Sequence, residues 1–286
     1  MIGQSFEYFA PRTLGAAVNL LNQFGDAAVI LGGGTMLIPA MSANQVRTAH
    51  VIGLNALKLD RITSTESHVS IGAMTTYAQL LKSPLIGQSI PLLRLMADVV
   101  TGGPSIWNQG TLGGSAAYAN PASDAPACLM ALQASFKLLS TEGVRIIAAR
   151  DFYLGAFQTA RRSTEILVGI RIPLPRGVCV SQYDKHKSCA SSWPIVTVAS
   201  SIQLAAQAKV HIAVGGAAAC PIYVHRLVDR AELHPSAAWI DDVASKIVQA
   251  IGEGWTDELA EGGYRRAIAA AVVRRNLKSA IQRIDQ

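Results

Sequence analysis

The sequence predicts an α+β protein, and two observations carry that prediction. Up to about residue 175, short apolar strand-like stretches alternate with helical periodicity and with two glycine-rich loops. Beyond Pro173-Leu-Pro175 the pattern changes to longer strands of antiparallel type and then to helices. At 286 residues the chain is long enough for two or three modules with a sizeable core.

Taken in order, Pro11 and Thr13 introduce a helix over Leu14–Phe24, with Thr13 as its N-cap. Residues 27–31 read as a buried strand entering the first loop and 51–54 as another, a β-α-β module spanning 1–56. A second module covers 57–175. In it, 61–73 suggests two short strands around a polar turn, Thr75 is placed to cap a helix over 77–81, and 91–99 reads as helical. The second glycine loop and a buried helix over 127–132 follow, then strands at 135–139 and 144–147 and one ending at Pro173. The third module, 176–286, has strands at 179–183, 195–204 and 209–214, followed by helices. No repeat or low-complexity linker interrupts the chain.

The two loops, Leu31-Gly-Gly-Gly-Thr-Met-Leu-Ile-Pro39 and Asn108-Gln-Gly-Thr-Leu-Gly-Gly-Ser115, carry the functional signal. A glycine run lets successive backbone N–H groups converge on one anion without Cβ obstruction. Two such loops, each with a neighbouring hydroxyl, suggest a pyrophosphate held from two sides, as in a dinucleotide; glycine pairs that merely close turns are the alternative. Neither loop is a Rossmann fingerprint, since Leu37 stands where G-x-G-x-x-G needs its last glycine, and there is no Gly-Lys-Ser/Thr. After the second loop, Asp124 sits near the start of a buried helix, where a carboxylate can cap the helix or accept from a ribose hydroxyl.

Other chemistries find little support. Gly113-Gly-Ser-Ala-Ala117 lacks the last glycine of a nucleophile elbow, and the six histidines are scattered. Cys128, Cys179, Cys189 and Cys220 lie far apart without a C-x-x-C, so they read as free thiols of a reducing compartment and cannot supply an iron–sulfur cluster. The net charge of +6 comes from dispersed residues with no basic-aromatic run, which argues against nucleic acid. Arg265-Arg266 and Arg274-Arg275 are expected on a solvated or partner-facing helix side, and Asp257-Glu258 in a solvated connection. Charged residues make up 15%, below the usual ~25%. That deficit is compatible with an obligate interface and equally with an alanine-rich composition. The N-terminus has neither a basic region nor an apolar core of a secretory signal, and no stretch reads as a membrane span, so a cytoplasmic protein is expected.

At these residues the chain resembles the FAD-binding medium subunits of the molybdenum hydroxylases. Gly32-Gly-Gly-Thr-Met-Leu-Ile-Pro-Ala-Met41 is similar to the family's first loop, and Trp107-Asn-Gln-Gly-Thr-Leu-Gly-Gly-Ser115, continuing to Asp124, to its second. Glu165-Ile-Leu-Val-Gly-Ile-Arg-Ile-Pro173, Tyr183-Asp-Lys-His-Lys187, Tyr264-Arg-Arg266 and Arg275-Asn-Leu277 match later segments in order. The chain departs from the pattern at Gly32 (usually Ala), Met36 (polar), Trp107 (Arg), Ser115 (Asn) and Asn120 (Asp or Ser). Backbone contacts need only the glycines and survive such changes.

The resemblance implies a two-subdomain FAD-binding fold of the vanillyl-alcohol-oxidase (PCMH) type with a C-terminal sheet-and-helix domain. It implies FAD in this chain, a large molybdenum-pterin subunit and a small [2Fe–2S] subunit as partners, and a dimer of heterotrimers. The chain's role is then oxidoreductase electron transfer from the clusters to an external acceptor. Expected cofactor contacts are Gly32, Gly33, Gly34, Thr35 and Met36 in the first loop and Thr111, Gly113, Gly114 and Ser115 in the second. Asp124, Leu167 and Lys185 are expected beside the cofactor, with Lys185 placing a positive charge near the flavin. Two rival functions are a stand-alone flavin oxidoreductase and a structural subunit with a degenerate FAD site.

Overall fold

A computed structural model describes residues 2–284. The first strand, β1 (Glu7–Phe9), precedes α1 (Leu14–Phe24), which starts where Thr13 Oγ1 accepts the Ala16 N–H at 3.2 Å. Then come β2 (Ala28–Leu31), α2 (Leu37–Ser42) and β3 (His50–Gly53). The three strands form a parallel sheet in the order β1-β3-β2, so the first glycine loop lies at the carboxyl end of β2.

The next segment runs β4 (Ile62–Ser64), β5 (His68–Gly72), α3 (Tyr77–Lys82), α4 (Pro84–Ser89), α5 (Pro91–Asp98), α6 (Gly103–Trp107), α7 (Leu112–Tyr118) and α8 (Asp124–Ala131). It continues with β6 (Ser135–Ser140), β7 (Gly143–Ala148), α9 (Ala149–Phe152), the hairpin β8 (Tyr153–Gly155) and β9 (Gln158–Thr159), and β10 (Ile166–Pro173). Five of these strands make an antiparallel sheet ordered β4-β5-β10-β6-β7. Ile166 and Val168 of β10 pack with Ala17, Val18 and Leu21 of α1, joining the two sheets through one apolar seam.

Residues 179–229 form a meander of β11 (Cys179–His186), β12 (Val196–Gln203), β13 (Gln207–Gly215) and β14 (Ile222–Asp229). Helices α10 (Ala238–Ile251) and α11 (Gly262–Gln282) pack on one face of it. Helices α5 and α8 pack on the other. Covered on both sides, β12 and β13 are buried along most of their length, with Tyr183, Ala199 and Ala213 facing α8 and Val198, Ile202 and Ile212 facing α10 and α11. Helix α8 is buried at all eight positions, which is why its sequence is apolar all round rather than amphipathic.

The structure corrects several expectations. The cap of α3 is Thr76, not Thr75: Thr76 Oγ1 accepts from Gln79 N, and Gln79 Oε1 accepts from Thr76 N at 2.8 Å, a reciprocal capping box. Strand β14 was not anticipated: it is an edge strand, mostly half-exposed, and its sequence Ile222-Tyr-Val-His-Arg-Leu-Val-Asp229 shows no regular apolar-polar alternation. Arg265 is not solvated: it is 0% exposed and donates to Ile195 O at 2.6 Å and Gly216 O at 2.9 Å. Its Nη2 pairs with Asp257, so that carboxylate too is engaged in the fold. All four cysteines are free thiols. Among the described residues, no helix is long and apolar enough to cross a membrane.

Candidate functional site

The two glycine loops come together in space. A Cβ added to Gly33 would lie 1.8 Å from the carbonyl oxygen of Gln109, so only glycine lets the first loop press against the start of the second. Gly34 takes φ +74°, turning the chain into α2. On the far side of Gly32 lie Thr111 Oγ1 and the Met74 sulfur, 3.4 and 3.5 Å from where a Cβ would stand.

The hydrogen-bonding roles of the two loops differ. Among the described residues, the N–H groups of Gly33, Gly34, Thr35, Met36 and Leu37 have no acceptor in the chain, and all five residues are half-buried. They form a row of donors at the entrance to α2. The second loop is largely helical, and its donors are spent inside the protein: Leu112 N on Thr75 O at 2.9 Å, Gly113 N on Ala73 O at 3.0 Å, Gly114 N on Thr111 Oγ1 at 3.1 Å and Ser115 N on Thr111 O at 3.0 Å. The N–H groups of Gly113, Gly114 and Ser115, which the sequence reading assigned to a diphosphate, are bonded within the chain in this structure. Gly113 has a packing role, since a Cβ there would meet Ala73 atoms at 2.5–2.7 Å.

Among the described residues, the second loop leaves the Thr111 N–H and the hydroxyl protons of Thr111 and Ser115 without an acceptor. Thr111 Oγ1 accepts from Gly114 N, and Ser115 Oγ accepts from Tyr77 at 2.7 Å; neither hydroxyl proton has an acceptor among the described residues. Thr75, opposite this loop, is fully buried with its Oγ1 unpartnered. Unmatched donors converging from two loops fit an anionic, oxygen-rich group such as a diphosphate. A cleft of about 440 Å³ adjoins them, lined by Asn55, Lys58, Asp60, Met74, Thr76 and Asn108 among others. Sequence reasoning missed Met74, Thr75, Thr76 and Tyr77; their one local signal was the Thr-Thr pair ahead of α3.

Asp124 and Lys185 are brought together, but their polar capacity is used within the chain. Lys185 Nζ donates to Asp124 Oδ2, Val99 O and Thr101 Oγ1, each at 2.9 Å, and Tyr183 donates to Asp124 Oδ1 at 2.7 Å. The lysine and aspartate side chains are 4% and 8% exposed. Burial raises the Asp124 pKa, and Lys185 and Tyr183 pull it back down. The cluster ties α8, the turn after α5 and β11 to one another. Lys185 is therefore half of a neutral buried pair rather than an uncompensated cation. Leu167 is buried at a bulge of β10, the strand on which α7 packs. Trp107 donates its indole N–H to Val100 O at 2.8 Å, a bond that closes the turn before α6.

Residues 4–175 match a family described as the FAD-binding domain in molybdopterin dehydrogenases. The chain is 32% identical to the carbon monoxide dehydrogenase medium chain of Hydrogenophaga pseudoflava, over 98% of both chains. It is 33% identical to the medium chain of the same name from Afipia carboxidovorans, again over 98% of both. A solved structure of the Hydrogenophaga pseudoflava carbon monoxide dehydrogenase superposes with a TM-score of 0.90 at 30% identity, covering 99% of each chain. By sequence match and by fold, the chain belongs to the FAD-binding medium subunits of the molybdenum hydroxylases, an oxidoreductase family.

Proposed function

We propose that this chain is the FAD-carrying electron-transfer subunit of a multi-subunit molybdenum hydroxylase. In this reading a large molybdenum-pterin subunit oxidises the substrate, a small subunit relays electrons through [2Fe–2S] clusters, and the complex assembles as a cytoplasmic dimer of heterotrimers. Bound FAD would supply the step between one-electron cluster chemistry and an external acceptor. The observation that carries the proposal is the set of unmatched donors where the two loops meet: the N–H groups of residues 33–37 and the free proton of Thr111.

Gly32–Met36 would hold the diphosphate through backbone N–H groups at the start of α2, with Thr111 and Ser115 closing over it through hydroxyl protons. Gly113 and Gly114 would set the distance between loop and sheet. Asp124, Leu167 and Lys185 would shape the packed flank of the site. No general base is required of these residues, because the bond-making chemistry belongs to another subunit.

The test is co-purification of this chain with its molybdenum and iron–sulfur partners, followed by flavin quantitation and rapid-mixing reduction by substrate. One FAD per chain, reduced after the clusters, is expected. A chain isolated from the intact complex without flavin, or a flavin that stays oxidised while the clusters are reduced, overturns the proposal.

A further inference from the structure

Ser115 stands where the family's loop carries asparagine, and the structure supplies a companion for it. Tyr77, the first residue of α3, is 3% exposed and donates its phenolic proton to Ser115 Oγ at 2.7 Å. Tyr77 N donates to Gly110 O at 3.2 Å, and its ring lies under Gly110, 3.3 Å from where a Cβ there would stand. One side chain thus grips both ends of the 110–115 segment. Ser115 is half-buried one helical turn along α7 from Thr111, whose Oγ1 lies beside Gly32, and its own proton has no acceptor among the described residues.

An asparagine amide presents two N–H donors in a fixed plane, whereas a serine hydroxyl rotates and has one proton. Accepting a bond from Tyr77 occupies one lone pair of Ser115 Oγ and turns its proton away from the tyrosine. Resting on the FAD reading above, we propose that Tyr77 is a positioning residue for the cofactor: by donating to Ser115, it directs the serine proton into the space between the two loops, where a cofactor oxygen can accept it. Burial pushes the Tyr77 pKa far above that of a free phenol, so it remains a donor throughout the working pH range.

FAD dissociation constants, measured by flavin fluorescence on dilution of the purified holoprotein, test this for Tyr77→Phe, Ser115→Ala and the double variant. Each single change should weaken FAD on the order of tenfold, the worth of about one hydrogen bond. The double variant should be no weaker than Ser115→Ala alone, because Tyr77 acts only through the serine. Ser115→Asn should bind FAD well and lose its sensitivity to Tyr77→Phe. A Tyr77→Phe effect that persists undiminished in the Ser115→Ala background assigns Tyr77 to packing and overturns the inference. Unchanged affinity in Ser115→Ala overturns it even if Tyr77→Phe does not fold. Absence of flavin from the wild-type complex would overturn the functional reading instead, so the two failures are distinct.

Discussion

Replacing Lys185 by methionine should act on the fold before it acts on the flavin. The ammonium group makes three bonds of 2.9 Å, one of them to Asp124, and both side chains are nearly sealed from water. Methionine keeps most of the stem volume but leaves a buried carboxylate with the Tyr183 hydroxyl as its one remaining side-chain donor. Breaking one side of a buried pair costs roughly 3–5 kcal/mol, mostly the penalty of the stranded charge. At roughly 2–4 °C per kcal/mol for a chain of this size, the midpoint of thermal unfolding should fall by about 6–20 °C. The deficit should depend on pH. Burial already raises the Asp124 pKa, and without Lys185 that effect dominates. A carboxyl whose pKa is higher folded than unfolded contributes stability that is complete below the unfolded value and is lost as pH rises through the folded one. The variant should therefore recover relative to wild type between neutral pH and an acidic pH near the ordinary carboxylate range. Asp124→Asn in the same chain, which removes the stranded charge, should restore most of the loss. Thermal unfolding by circular dichroism at both pH values, for both single variants and the double, checks this. A Lys185→Met midpoint within about 1 °C of wild type, or a double variant showing the full sum of the single losses, would refute the reasoning. In the Lys185→Met, Asp124→Asn double variant both charges of the pair are gone and the site stays neutral, so the flavin potential in the assembled complex should move little. A shift as large as that from an uncompensated charge would mean that Lys185 acts on the cofactor directly.

Gly33→Ala drives a methyl into the Gln109 carbonyl and should lower bound FAD by about tenfold or more; full flavin content by absorbance would sink the two-loop site. Gly113→Ala collides with Ala73 instead, so it should depress the unfolding midpoint of the chain even without FAD, and an unaltered midpoint would contradict that packing. Thr75→Val replaces a buried, unpartnered hydroxyl with a methyl and should stabilise the FAD-free chain by about 1 kcal/mol, read in urea unfolding; a clear loss would show that the hydroxyl is bonded. His211 lies between the Tyr223 hydroxyl and the Gln133 amide, and burial lowers its pKa to about 4. A histidine held neutral in the fold loses stability as pH falls from its unfolded value through the folded one, so stability should decline from about pH 6.5 toward about pH 4. His211→Gln should flatten that decline, and an unchanged slope would assign it to other groups.

Much of the fold was legible because it depends on neighbours in sequence. Thr13 before an apolar-periodic run starts α1, the change of pattern at Pro173 marks the meander, and glycine runs after strand-like segments locate both loops. The second loop's helical turn was hidden by its own glycines, which have low helix propensity and of which Gly113 lies against Ala73. Thr75 and Thr76 are both good caps, and only the reach of Gln79 distinguishes them. By itself, the sequence determined where chain direction, turns and apolar faces change, since these follow from local dihedral preference and periodicity. Tertiary structure decided which polar groups remain available. Asp124 and Lys185 are 61 residues apart, Tyr77 and Ser115 are 38 apart, and Arg265 meets Ile195 across 70. A hydrogen bond is satisfied by whatever the fold brings within about 3 Å, and no local pattern records that.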